Sequence, residues 1–156
     1  MKKIMATIFA ALMVITYFSG CSTKEADLSA VLQDINSSFA DSTKNLTQLT
    51  DVAELNTYYE INTDDVKQFA AEINKDASTA PVEIVIVEAV DSTAAESIKT
   101  QLEHRYNRIY GLYSSYSAEQ FDMVKDCGVT QSGNFVTMIV AEDYSDMIKV
   151  VNEAIG

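Results

Sequence analysis

The sequence predicts an α+β domain: a two-layer sandwich with a mostly antiparallel sheet of about four strands, helices on one face, and a preceding N-terminal helix. Three stretches carry that expectation. "VEIVIVEAV" (Val82 to Val90) is dense in β-branched residues on both faces, the composition of a central strand covered on at least one side. "GVTQSGNFVTMIVA" sets two β-rich runs around Ser132-Gly133-Asn134, a hairpin signal. Between them, Asp91 to Tyr116 keeps the spacing of one long helix. Hairpin-connected strands with helices in separate runs belong to the α+β class.

The chain opens with two cations, Lys2 and Lys3, ahead of an apolar run from Ile4 to Phe18. That is the layout of a secretory signal. Fifteen helical residues reach about 22 Å, short of the roughly 30 Å of a hydrocarbon core, so a permanent span is not expected. Phe18-Ser19-Gly20-Cys21 then resembles a bacterial lipobox, in which small residues precede a cysteine that is acylated and becomes the mature N-terminus. The expected organisation is a signal peptide over 1–20, an acylated tether over 21–26 and one domain over 27–156. Removing 20 of 156 residues leaves 136, enough for a real core.

Acyl chains on Cys21 are the expected attachment to the membrane, on its extracytoplasmic face. Two chains hold stably where one holds only marginally. Electrostatics do not help. The net charge is −12, and without Lys2 and Lys3 nine cations face 23 carboxylates, or −14. Such a surface is repelled by anionic lipid and by nucleic acid. With Cys21 acylated, Cys127 has no intrachain partner and no disulfide is expected.

The elements follow in order. Ser22 to Ala26 is a short polar tether with a reach of roughly 17 Å. Asp27 is a plausible N-cap, and Leu28, Val31, Leu32, Ile35 and Phe39 then form one helical stripe. "DSTKNLTQLT" is polar and aperiodic and reads as a loop. Val52, Leu55 and Tyr59 suit a short helix. "DDVKQFAAEIN" stays open: Val66, Phe69 and Ile73 fit a helix, while Phe69, Ala71 and Ile73 alternate as in a strand, and composition leans to helix. In the long helix, Thr93 and Glu96 have the spacing of a capping box. Ile98, Leu102, Ile109 and either Tyr113 or Tyr116 mark its buried face, and Gly111 weakens it. "SAEQFDMVKDC" reads as a short helix, and Tyr144, Ile148, Val151 and Ile155 as a closing one.

Chemistry is sparse. His104 is the only histidine and Cys127 the only remaining thiol, so a Cys–His dyad is the single nucleophilic arrangement available. His104 is expected on an exposed helix face and Cys127 as a small buried thiol. One His and one Cys cannot hold a transition metal. The carboxylates Glu142, Asp143 and Asp146 lack a calcium-loop pattern, and Asp143 reads as a helix N-cap. No cofactor and no metal are expected. The candidate recognition surface is Arg105, Tyr106, Arg108, Tyr110 and Tyr113, tyrosines backed by arginine that suit a sugar or a protein partner.

Several stretches together resemble a family of small lipobox-bearing lipoproteins of Gram-positive bacteria built on a domain of unknown function. They are "YYEINTDDVKQF", "PVEIVIVEAVD", the helix with "QLEHRY", "YSAEQFDMV" and "SGNFVTMIVAED", covering about Tyr58 to Ile155. The resemblance carries over Arg105 in the helix, Tyr116, Glu119 and Gln120 in a turn, and Gly133 with Asn134 in the hairpin. Ala118 and Phe135 depart from its usual proline and tyrosine. It implies that the open segment is a strand paired with Val82 to Val90, and it implies no activity. The expected role is therefore a binding or adaptor module for a protein or cell-wall glycan. The alternatives are a cell-envelope hydrolase using Cys127 or a carboxylate pair, and a solute-binding lipoprotein.

Overall fold

The computed structural model describes residues 26–76 and 80–156. The expected cleavage site and Cys21 lie outside the described residues. An N-terminal helix, α1 (Leu28–Ser38), is followed by a short α2 (Ala40–Thr43), β1 (Thr47–Leu49) and α3 (Val52–Tyr59). A 3₁₀ turn (Thr63–Asp65) leads into β2 (Val66–Ile73) and β3 (Glu83–Ala89). Then come α4 (Ser92–Tyr116), α5 (Ala118–Val124), the hairpin β4 (Gly128–Ser132) and β5 (Phe135–Val140), and α6 (Tyr144–Ile155).

The α+β class, the antiparallel sheet and the N-terminal helix are as expected. The sheet has five strands in the order β1-β2-β3-β5-β4, all neighbours antiparallel. The open segment is β2, in register with β3 from Phe69↔Val87 to Ile73↔Glu83. Its helix-like spacing loses to the pairing: a strand beside β3 buries Ala70, Ala71 and Ile73, one or the other face at a time. The added strand, β1, lies in the stretch expected to be a loop. It has three residues and a single buried side chain, Leu49, too little for alternation to register.

Helices cover both faces of the sheet, where one covered face was expected. Val85, Val87 and Ala89 of β3 pack with Leu55, Ile98 and Leu102 under α3 and α4. Ile84 and Ile86 pack with Leu32, Ile35, Met147 and Val151 under α1 and α6. All seven residues of β3 are buried, which is what its unbroken β-branched composition requires. Each fully buried Val or Ile contributes about 1.5–3 kcal/mol. The stripe of α1 thus packs on its own domain.

Local signals are realised with two exchanges of residue. Asp27 caps α1, accepting from the amides of Ser29 and Ala30. The expected Thr93–Glu96 box does not form, because α4 starts two residues earlier and Asp91 caps it by accepting from the Ala94 amide (2.8 Å). A true capping box opens α3 instead, between Asp51 and Glu54. Gly111 does not end α4, which continues to Tyr116. Gly133, with φ +56°, supplies the left-handed turn between β4 and β5.

Candidate functional site

On α4, residues three and four apart share a face. Arg105, Arg108, Ile109 and Leu112 therefore form one edge, with Tyr113 beside it and Tyr106 and Tyr110 turned toward the neighbouring α5. The structure divides the expected recognition surface along that line. Arg105, Arg108 and Tyr113 line a groove of ≈ 470 Å³ together with Tyr58, Lys75 and Leu112. Tyr106 and Tyr110 serve packing: the Tyr106 hydroxyl donates to the Val124 carbonyl (3.0 Å) and the Tyr110 ring meets Phe121 edge-on at 5.0 Å.

A buried polar cluster borders the groove. Glu83, at the start of β3, is almost fully buried and accepts from Arg105 Nε (3.1 Å) and from its Nη2. Beside the pair, the Tyr59 ring lies 5.9 Å from the guanidinium carbon. The Tyr59 hydroxyl is buried without a hydrogen-bond partner among the described residues, and burial, with the Glu83 carboxylate adding to it, pushes its pKa far up. The two outer cations are held loosely. Arg108 Nη1 is 3.3 Å from Glu60, both well exposed, and Lys75 Nζ is 3.5 Å from Glu54 and 5.5 Å from the Tyr58 ring centroid. Exposed pairs of this kind contribute about 0–1 kcal/mol.

Tyr58, Tyr59, Glu83 and Leu112 were missed by sequence reasoning. No spacing links α3 and β3 to α4; only their packing brings them together. Glu83 left a signal as a carboxylate inside a β-branched run, and Leu112 as a large apolar residue one turn beyond Arg108 on α4.

The groove occupies one end of the sheet. Its Ile73 and Glu83 are register partners, while Gln68 and Glu88 pair near the other end, five residues away along β3 or about 17 Å. There Gln68 Nε2 donates to the Ala26 carbonyl (2.9 Å) and to Glu88 (2.5 Å), and Lys67 Nζ donates to Glu88 (2.8 Å). The point where the chain enters the domain is thus at the opposite end from the groove.

The remaining candidates resolve as structural groups. The Cys127 thiol is half-buried, 3.2 Å from the Met123 carbonyl and 3.4 Å from that of Ala141, and burial pushes its pKa up, the reverse of an activated nucleophile. His104 is exposed. Asp143 takes the N-cap position of α6 but does not cap it; its carboxylate accepts from the Ser42 hydroxyl (2.6 Å), tying α2 to α6. Asp143 and Asp146 border a wide cleft of ≈ 730 Å³ with Glu119, Asp122, Asp126 and Glu142. Among the described residues no three His, Cys, Asp or Glu side chains are grouped to hold a metal ion. No described helix is long and apolar enough to cross a membrane.

No curated protein and no solved structure matches the chain. A family model described as a domain of unknown function (DUF4358) matches residues 38–141. That span holds all five strands and every residue named in the groove, and leaves out α6 and nearly all of α1. The chain belongs to the DUF4358 family, whose defining domain has no assigned function.

Proposed function

We propose that the chain is a membrane-anchored extracytoplasmic lipoprotein, held by acyl chains on Cys21, that works as a binding or adaptor module. The groove between α4 and the β2–β3 connection, with Tyr58 of α3 at its border, is its contact surface for a protein partner or cell-wall component. One observation carries this reading. The chain has only two arginines, and both line the same groove, beside two tyrosines, on an otherwise acidic domain. Arginine and tyrosine are the side chains that most often dominate recognition surfaces. The anchor is supported by the order of Lys2-Lys3, the apolar run and Ser19-Gly20-Cys21.

Cys21→Ser is expected to abolish metabolic lipid labelling and to leave the leader uncut; normal labelling overturns the anchor. Cross-linking in intact membranes, followed by capture of the chain, is expected to recover a partner that Arg108→Glu loses and Lys149→Glu retains. Identical recovery with both variants overturns the groove as the contact surface.

A further inference from the structure

Resting on the binding-module reading, we infer that the groove takes an acidic peptide segment of a partner protein, one that carries apolar side chains between its carboxylates. The charge argument comes first. Arg105, Arg108 and Lys75 converge in the groove with two carboxylates in its lining, Asp76 and the Glu83 that Arg105 already holds, whereas the chain beyond the expected leader carries −14. Glu83 occupies Nε and Nη2 of Arg105, so Nη1 keeps its donors for an entering group. Arg108 exchanges its exposed partner Glu60 for a ligand carboxylate at little cost, and Lys75 turns from Glu54, which the α3 capping box retains. A guanidinium matches a carboxylate in bidentate geometry.

The wall of the groove selects further. Leu112 is 52 % exposed there, next to Tyr58 and Tyr113. A polyanion without apolar groups, such as a glycerol phosphate polymer, leaves that wall uncovered; a Leu or Phe side chain of a peptide covers it. Placement argues against a headgroup of the protein's own bilayer, because the chain enters its domain at the opposite end of the sheet.

The probe is a fluorescein-labelled Glu-Leu-Asp-Phe-Glu peptide titrated with the full-length chain in detergent micelles and read by anisotropy. Saturable binding is expected, weakened at least about tenfold by Arg108→Glu and unchanged by Lys149→Glu, which makes the same charge change on α6. Glu-Ser-Asp-Ser-Glu is expected to bind more weakly, and Lys-Leu-Lys-Phe-Lys not at all. Equal binding to wild type and the Arg108 variant overturns the inference. So does Arg108-dependent binding of a glycerol phosphate oligomer without peptide binding, or Arg108-dependent self-association in sedimentation, which makes a second copy the occupant. A membrane partner lost with Arg108→Glu while the peptide fails to bind removes this inference and leaves the binding-module reading standing.

Discussion

Arg105 and Glu83 meet across two elements, and the pair is asymmetric in burial: the Glu83 side chain is 3 % exposed and that of Arg105 27 %. Removing the arginine leaves a carboxylate locked in the core with the already unpartnered Tyr59 hydroxyl beside it. Breaking a buried pair from one side costs about 3–5 kcal/mol, and the partial exposure of Arg105 places Arg105→Ala near the lower bound, about 3 kcal/mol. The lowered urea midpoint of that variant checks this, and Arg105→Ala with Glu83→Leu is expected to recover most of the loss. Arg108→Ala, whose pair is exposed, is expected to leave the midpoint within about 0.5 kcal/mol. The two arginines, adjacent in the groove, therefore divide the work: one holds the fold, the other is free to be varied as a probe of binding. From sequence they were equivalent neighbours on one helix face. Their difference comes from β3, which presents Glu83 to one of them only.

At the scale of elements, what the sequence disclosed followed from how strongly each segment repeats. The five apolar residues of β3 between and beside its two buried glutamates, the stripe of α1 and the long run of α4 were legible because burial favours apolar residues at successive positions, or at every third and fourth. β1 was illegible because a three-residue edge strand is specified by its partner's backbone rather than by its own side chains. β2 was ambiguous because Val66, Phe69 and Ile73 fit a helical period while Phe69, Ala71 and Ile73 alternate, and only a neighbouring strand decides between them. The groove was half-legible: α4 supplied Arg105, Arg108 and Tyr113, while Tyr58 and Glu83 come from elements distant in sequence. Gly111 offers a direct test of helix continuity. It lies in the interior of α4 with nothing within 4 Å of where a Cβ would be. Gly111→Ala is expected to stabilise the protein by about 0.5–1 kcal/mol, seen as a higher thermal midpoint with unchanged peptide binding. A lower midpoint would mean that the helix relies on the glycine for a bend.

For the molecule as a whole, the polar cluster at the chain's entry couples the first residue of the domain to the central strand. Burial disfavours the charged form of Glu88, but hydrogen bonds from Lys67 and Gln68 outweigh it and hold the carboxyl below its ordinary value of 4.5. A depressed folded value gives stabilisation that is complete above pH 4.5 and is lost as pH falls through the folded value. Glu88→Gln is expected to lower stability at neutral pH and to flatten its decline below about pH 4.5, as measured by denaturant midpoints across an acid series. A decline as steep as that of wild type would assign acid sensitivity to other carboxylates.

That same cluster sets a working radius. Gln68 pins Ala26 to β2, and four residues separate Ala26 from Cys21 in the sequence. For a chain acylated at Cys21, that stretch reaches at most roughly 17 Å, and the sheet adds about 17 Å from Glu88 to Glu83. On the proposed anchor, the groove would lie no more than about 35 Å above the bilayer. A partner bound in that arrangement would have to present its segment within that layer.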